Sequence, residues 1–204
     1  MIQIELTKLI KTYDGSPLRI NTRFASHRTT QITGPSGAGK TTLLKILAGL
    51  LHPEQGRIQV DEQVWLDTAA GICLEPQKRS VGFVFQDYAL FPHMTAERHL
   101  LYGTRDEPYI RQLLQLGRLE PFRHHKPRQL SGGQQQRLAI LRALSTRPAL
   151  LLMDEPFTAL DHTLKKSLIT DLKQMLTAQG TTCLVVTHQP FANDEFAEER
   201  FEME

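Results

Sequence analysis

The chain has 204 residues, of which 40% are hydrophobic and 23% charged, enough for one well-buried core with a small additional subdomain. Its formal net charge of +2, with no run of five basic residues, gives no argument for a nucleic-acid partner. The two cysteines, Cys73 and Cys183, form no CxxC pair, which argues against a zinc site and fits a reducing compartment.

The first two predicted strands are expected to form an antiparallel hairpin. Residues 2–6 alternate between apolar and polar side chains, as expected of a strand with one buried face. Residues 19–24 are the candidate partner strand, because residues 14–17 (Asp-Gly-Ser-Pro) have turn chemistry. Residues 30–33 then predict a short strand, and residues 42–48 predict a helix with an apolar face.

Residues 34–42 (Gly-Pro-Ser-Gly-Ala-Gly-Lys-Thr-Thr), here called the P-loop, lie between that strand and that helix. The glycines allow the backbone to turn tightly and approach a phosphate, and the following amides can point towards an anion at the helix N-terminus. Lys40 is suited to reach the β- and γ-phosphates of a nucleotide, and the Thr41 hydroxyl to bind Mg²⁺. The alternative is a glycine-rich turn that only joins strand to helix.

The remaining elements predict a sheet interrupted by helices. Gly49 and Pro53 end the first helix, and residues 53–56 predict a turn. The other predicted strands are residues 57–60, 64–66, 81–85, 149–153 and 183–186, and the other predicted helices are residues 109–116, 134–144 and 163–176. Strands separated by helices indicate a parallel sheet covered by helices, with the middle block as a helical insertion.

Two carboxylates, Asp154 and Glu155, follow the apolar strand at residues 149–153. The first can hold Mg²⁺ and the second can orient or deprotonate an attacking water. The alternative is a buried strand followed by a solvated acidic turn. The preceding P-loop favours the functional interpretation.

Residues 130–134 (Leu-Ser-Gly-Gly-Gln) predict a second exposed helix N-terminus. Ser131 is a good N-cap, and the two glycines leave the next amides uncovered. Because the P-loop already accounts for one nucleotide, a second anion site suggests the phosphates of another subunit's nucleotide. The alternative is an ordinary capped helix.

With this segment between the P-loop and Asp154, the chain resembles the nucleotide-binding subunits of ABC transporters over nearly its whole length. Other motifs of that family occur in the expected order: Gln86 at the Q-loop, Asp161 at the D-loop, His188 at the H-loop, and Tyr13 where an aromatic ring often stacks on adenine. The resemblance implies an α/β P-loop NTPase fold with a RecA-like, mostly parallel sheet, an antiparallel β subdomain and an inserted helical subdomain. We expect one ABC ATPase domain over residues 1–204, with the core and β subdomain in 1–86 and 146–204 and the helical subdomain in 87–145.

The resemblance also implies the site and its cofactors, ATP and Mg²⁺. Two copies would pack head to tail, with each ATP between the P-loop of one copy and residues 131–134 of the other. The implied ATP-binding residues are Tyr13, Gly34, Pro35, Ser36, Gly37, Ala38, Gly39, Lys40, Thr41, Thr42, Gln86, Ser131, Gly132, Gly133, Gln134 and Asp161. Thr41, Gln86 and Asp154 would surround Mg²⁺, and Lys40, Glu155 and His188 would be catalytic.

Residues 71–93 are similar to the ATPase subunits of bacterial importers, most of all those for molybdate, with sulfate, polyamine and sugar importers as near relatives. Residues 88–103 would then line a groove for a permease helix, and a substrate-binding protein would act indirectly. No signal peptide or membrane span is evident in the sequence, so we expect a peripheral subunit at the cytoplasmic face of the inner membrane. The alternative, a soluble ABC-type ATPase acting on nucleic acid or ribosomes, usually has a coiled-coil insertion or two cassettes, and neither is evident. A regulator that has lost catalysis is disfavoured because Lys40, Asp154, Glu155 and His188 are all present.

Overall fold

The computed structural model describes residues 1–9, 17–188, 191 and 196–203. Their strands form two five-stranded sheets, one antiparallel and one parallel. In chain order the strands and α-helices are β1 (Ile2–Leu9), β2 (Pro17–Phe24), β3 (Thr29–Thr33), α1 (Lys40–Leu47), β4 (Gln55–Val60), β5 (Gln63–Asp67), β6 (Ile72–Cys73), β7 (Val81–Val84), α2 (Ala96–Leu101), α3 (Glu107–Leu116), α4 (Gly132–Ser145), β8 (Leu150–Asp154), α5 (His162–Gln179), β9 (Thr182–Val186) and β10 (Glu199–Glu202).

The antiparallel sheet has the order β2-β1-β4-β5-β6. The predicted hairpin is confirmed: β1 and β2 pair from Ile2 opposite Phe24 to Leu9 opposite Pro17. Alternate residues of β1 (Ile2, Ile4 and Leu6) are buried, so this sheet has one apolar face and one polar face.

The parallel sheet has the order β10-β3-β9-β8-β7 and carries the site. All residues of β8 and β9 are buried, as expected of parallel strands covered on both faces. Leu150 and Leu152 pack with the antiparallel sheet and α1, whereas Leu151 and Met153 pack with the helices on the other side. Because these strands are parallel, the carboxyl ends of β3, β7, β8 and β9 meet at one edge.

The predicted helices are confirmed and have clear ends. Asp106, Ser131 and Asp161 cap α3, α4 and α5 by accepting a hydrogen bond from the amide three residues on. Gly180, in the left-handed conformation with φ +62°, ends α5. Within the described residues, no helix is both long and apolar enough to cross a bilayer.

Three local predictions were wrong or incomplete. Residues 53–56 do not form a turn throughout, since β4 begins at Gln55; a Cβ on Gly56 would lie 2.6 Å from the Glu5 carbonyl oxygen, so glycine permits strand pairing there. Strand β7 ends at Val84, before Gln86. The short elements α2 and β6 were not predicted, because six and two residues are too few to show a period.

Candidate nucleotide site at the edge of the parallel sheet

The P-loop joins β3 to α1 and turns through three left-handed glycines: Gly34, Gly37 and Gly39 have φ of +140°, +88° and +89°. A Cβ on Gly34 would lie 2.2 Å from the Met203 carbonyl oxygen, so the start of the loop packs tightly against the chain after β10. A Cβ on Gly37 would meet no heavy atom within 4 Å. The loop is therefore anchored at its start and open at its middle.

Lys40 begins α1 and is only 6% exposed. Its ammonium group donates hydrogen bonds to the carbonyl oxygens of Gly34 (2.8 Å) and Pro35 (2.7 Å). The first backbone hydrogen bond of the helix runs from Leu43 N to Gly39 O, so the amides of residues 40–42 have no carbonyl partner within the helix. An ammonium group, bare helix amides and an open loop together form a site suited to phosphate.

The Thr41 hydroxyl donates a 2.7 Å hydrogen bond to Oδ2 of Asp154. Asp154 ends β8 and is only 3% exposed. A hydroxyl and a carboxylate are hard oxygen ligands of the kind that Mg²⁺ takes with phosphate and water, so these two residues fit that ion. In the described parts of the chain, no cluster of three or more His, Cys, Asp or Glu side chains could hold a metal ion.

Glu155, the next residue, lies between the ends of β8 and β9. Its amide donates to the Val186 carbonyl (3.0 Å), and its backbone has φ +49°, an unusual conformation for a residue with a Cβ. Its Oε1 accepts a 2.9 Å hydrogen bond from the His188 amide, and His188 Nε2 lies 3.5 Å from the same oxygen. Burial raises the pKa of the Glu155 carboxyl, and His188 opposes the shift. The His188 side chain is 58% exposed, so it faces the open side of this pair.

The signature segment, residues 130–134, forms the exposed N-terminus of α4. Ser131 Oγ accepts from Gln134 N (3.3 Å), and Gln134 Oε1 accepts from Ser131 N (2.8 Å), which is a reciprocal capping box. Ser131 and Gly132 are exposed, and a Cβ on Gly132 would meet nothing within 4 Å. A Cβ on Gly133 would lie 3.1 Å from the Ala159 carbonyl oxygen, so α4 begins close against the turn after Glu155.

Three further predicted site residues take no part in the hydrogen bonds described above. Asp161 caps α5, with Oδ1 accepting from Leu164 N at 3.0 Å. Gln86 is exposed two residues after β7, and its side chain forms no hydrogen bond with the described residues. Tyr13 lies outside the described residues. The structure thus brings together Lys40, Thr41, Asp154, Glu155 and His188, and among the described residues Gln86 forms no hydrogen bond to them.

The sequence analysis did not identify Gln136 of α4, a buried polar residue that contacts the segment after Asp154. It is fully buried, and its side-chain amide binds three groups in residues 155–159. Gln136 lies on the same helix face as Ala139, Ile140 and Ala143, which are also buried. A glutamine on an otherwise apolar face is the signal that could have found it.

Comparisons with known proteins agree with this geometry. A family model described as ABC transporter matches residues 18–158. The molybdenum import ATP-binding protein ModC of Haemophilus ducreyi is 43% identical over 173 residues, covering 84% of this chain and 49% of the relative. The probable sulfate/thiosulfate import ATP-binding protein CysA of Chlorella vulgaris is 40% identical over 189 residues, covering 89% of this chain and 78% of the relative. This chain spans about half the length of several curated relatives that it matches.

A solved structure gives the same result for the fold. The ATP-binding cassette MJ0796, in a dimeric post-hydrolysis state bound to ADP and Pi, superimposes with a TM-score of 0.82 and 31% identity, covering all of this chain and 94% of the other. The P-loop NTPase fold expected from the sequence is thereby confirmed. Since the family model covers well over half of the residues and the fold matches over the full length, the chain belongs to the ABC transporter family.

Proposed function

We propose that the chain is the ATP-binding and ATP-hydrolysing subunit of an ABC importer. The observation that carries this proposal is the meeting of the P-loop, the Thr41–Asp154 pair and the Glu155–His188 pair at one edge of the parallel sheet. Ligands of open α/β sheets bind at the carboxyl ends of the strands, which is this edge. The domain organisation that we propose is the one expected from the sequence, with residues 87–145 as the helical subdomain.

The phosphate-binding part consists of residues 34–42. Their amides and the Lys40 ammonium group neutralise phosphate charge, and Lys40 would exchange the Gly34 and Pro35 carbonyls for phosphate oxygens. Thr41 and Asp154 would hold Mg²⁺, with Gln86 joining them by a movement of the segment after β7. That ion supplies charge neutralisation at the β- and γ-phosphates.

The hydrolytic part consists of Glu155 and His188. The Glu155 carboxylate is fixed by the His188 amide and has a raised pKa, so it is a better proton acceptor than a solvated carboxylate. It would orient and deprotonate the attacking water, while the exposed His188 imidazole would contact the γ-phosphate. The remaining catalysis would come from positioning and from charge stabilisation by Lys40.

A second copy of the chain would complete each site. The exposed N-terminus of α4, residues 131–134, has the open glycine geometry that phosphate needs, and within its own subunit it packs on the turn before Asp161 rather than on the P-loop. The related cassette MJ0796 is described as dimeric, which supports a head-to-tail pair with ATP between the two copies. Asp161 would link the two sites, and Tyr13 would stack on adenine.

A permease is the proposed membrane partner, and it would hold the chain at the cytoplasmic face of the inner membrane. A groove of about 410 Å³ lies along β7 and α4, and its lining includes Phe83, Phe85, Phe91 and Tyr102. Tyr102 is 73% exposed, which is unusual for a large aromatic residue on a free surface. The permease and a substrate-binding protein would select the solute. We propose molybdate or a related anion on the strength of the relatives named for molybdenum and sulfate/thiosulfate import.

Substitution of Glu155 by Gln tests the proposed reaction. The variant keeps an oxygen that accepts from His188 but cannot take a proton, so we expect ATP turnover to fall by about 10²–10⁴-fold. The trapped ATP should then hold two copies together, and gel filtration with ATP and Mg²⁺ should show a dimer. Glu62→Gln, the same change at an exposed residue between β4 and β5, is the matched control and should behave as the unsubstituted protein. A Glu155→Gln variant that hydrolyses ATP normally, or that remains a monomer with ATP, would contradict the proposal.

A further inference from the structure

Gln136 lies in the second turn of α4, and none of its surface is exposed. Its Nε2 donates to the Glu155 carbonyl oxygen (3.3 Å) and to Thr158 Oγ1 (3.2 Å). Its Oε1 accepts from the Ala159 amide (3.0 Å). All three contacts go to the segment 155–159, here called the catalytic turn, so this one side chain holds the turn at both its ends.

The contacts cannot be exchanged for water without moving the backbone. A buried amide is tolerated only while its donors and acceptors are paired, so Gln136 and the catalytic turn must move together. Gly133 adds a second constraint, because a Cβ at this position would lie 3.1 Å from the Ala159 carbonyl oxygen. The first two turns of α4 therefore form one unit with the catalytic turn.

The two ends of this unit have different chemistry. One end is the exposed helix N-terminus at Ser131, an anion-binding geometry that opens away from the subunit. The other end is Glu155, whose backbone is held at φ +49° and whose carboxylate accepts from the His188 amide. A positive φ at a residue with a Cβ persists only when surrounding contacts enforce it, and the Gln136 hydrogen bond to the Glu155 carbonyl is one of them.

We propose that Gln136 is a positioning residue that couples the helix N-terminus at Ser131 to the Glu155 carboxylate of the same subunit. The inference rests on the proposed function, in which a nucleotide held by the partner copy occupies the α4 N-terminus. Phosphate bound there fixes α4, α4 fixes Gln136, and Gln136 fixes the carbonyl of Glu155. Each active site therefore reaches its hydrolytic geometry only when the other copy's nucleotide is in place, and Gln136 carries that dependence.

Gln136→Leu tests the coupling, because leucine has a similar volume and lacks all three hydrogen bonds. We expect kcat for ATP to fall by about tenfold or more, the size expected when a catalytic group is slightly misplaced. The Hill coefficient for ATP should fall towards 1. The affinity of the isolated subunit for a fluorescent ATP analogue should stay within about twofold, because the P-loop is not altered.

Gln135→Leu is the matched control, since it makes the same change one residue earlier on α4. Gln135 donates to the carbonyls of Pro127 and Leu130 (3.0 Å each) and makes no hydrogen bond to the catalytic turn. Thr158→Val, at an exposed position, removes one partner of Gln136 and also the 3.4 Å hydrogen bond that the Thr158 hydroxyl donates to the Glu155 carbonyl oxygen. It keeps the other two Gln136 hydrogen bonds, so it should give a smaller loss of kcat and Hill coefficient. If Gln136→Leu does not fold, Thr158→Val is the test instead. An unchanged kcat and an unchanged Hill coefficient in Thr158→Val would then overturn the proposal.

The outcomes separate this inference from the proposed function. If the unsubstituted protein hydrolyses ATP and Gln136→Leu keeps its kcat and Hill coefficient, the inference is overturned and the proposed function stands. It is also overturned if Gln135→Leu shows equal losses, because the hydrogen bonds to the catalytic turn then have no effect beyond that of the bonds Gln135 makes to Pro127 and Leu130. If the unsubstituted protein hydrolyses no ATP, the proposed function and this inference both fail.

Discussion

Glu155 is the residue at which stability and the proposed chemistry conflict most clearly. It is 8% exposed and lies next to Asp154, so its charged form is disfavoured, while the His188 amide and imidazole stabilise it. The folded protein therefore binds a proton on Glu155 more readily than the unfolded chain does. Residues that serve catalysis are often held at such a cost in folding free energy.

Because the folded protein disfavours the charged Glu155 carboxylate, we expect Glu155→Gln to be more stable than the unsubstituted protein, by an amount that depends on pH. A carboxyl whose pKa is raised in the folded state favours folding below its ordinary value of 4.5 and opposes folding as the pH rises through the folded value. At pH 8, the neutral variant should melt about 2–4 °C higher, the shift that about 1 kcal/mol produces in a chain of this size. The difference should shrink as the pH is lowered towards 4.5. Thermal unfolding without nucleotide measures it, with Glu62→Gln as the control, and an equal gain at both pH values would refute the burial explanation.

At the scale of elements, α1 is held at both ends by unusual contacts. It begins at Lys40 within the P-loop, and its C-terminus meets a buried arginine, Arg79, that is 5% exposed. The Arg79 guanidinium donates to the carbonyls of Ile46 (2.9 Å) and Leu47 (2.8 Å), while its Nε donates to Leu74 O (2.9 Å). Among the described residues, Arg79 forms no salt bridge. Its burial is compensated by these carbonyl oxygens, by the Cys73 side chain and by the Trp65 ring, whose centre lies 5.5 Å from the guanidinium carbon, and burial lowers the pKa of the guanidinium.

Arg79→Lys should therefore destabilise the fold although it keeps the charge. Lysine has a single ammonium group in place of the planar guanidinium with its several N–H donors, so it would leave buried carbonyls at the end of α1 unpaired. We expect a loss of about 2 kcal/mol in the free energy of unfolding, measured by urea denaturation. Arg57→Lys, at an exposed arginine paired with Asp67, should change it by less than about 0.5 kcal/mol. Equal effects of the two substitutions would show that the carbonyl contacts of Arg79 contribute little.

Some features of the site depend only on neighbouring residues in the sequence, and others depend on contacts between distant segments. The P-loop and the Ser131 segment were predictable because a few neighbouring residues fix both the backbone and the chemistry. The position of Arg79 was not, since its partners come from α1, β5 and the segment after β6, which meet only in the folded chain. Gln136 was missed for the same reason. The loop containing Tyr13 lies outside the described residues, so its role stays a prediction.

At the scale of the whole molecule, the groove beside β7 is held open by the helices. Arg142 of α4 donates to the carbonyls of Tyr88 (3.1 Å) and Ala89, and its guanidinium lies 5.7 Å from the centre of the Phe91 ring. The Phe91 amide donates a 2.9 Å hydrogen bond to Nε2 of the fully buried His99, and the two rings are stacked with their centres 5.7 Å apart. The segment that lines the groove is thus fixed before any partner binds. A preformed apolar groove with an exposed aromatic rim is suited to an apolar helix.

Tyr102→Ala tests whether a membrane partner uses this groove. An exposed tyrosine at the rim of a preformed groove is a candidate hot spot, and its loss should reduce binding by at least about tenfold, or 1.4 kcal/mol. The measurement is recovery of a polytopic membrane protein when the tagged chain is purified from gently solubilised membranes, quantified by mass spectrometry. Ile72→Ala is the control, since Ile72 is 43% exposed on β6 and does not line the groove. Because Tyr102 makes no contact with the P-loop or Glu155, nucleotide affinity should not change. Equal recovery of the membrane protein with both variants would exclude this groove as the contact, and recovery of soluble proteins alone would favour an ABC-type ATPase that acts away from membranes.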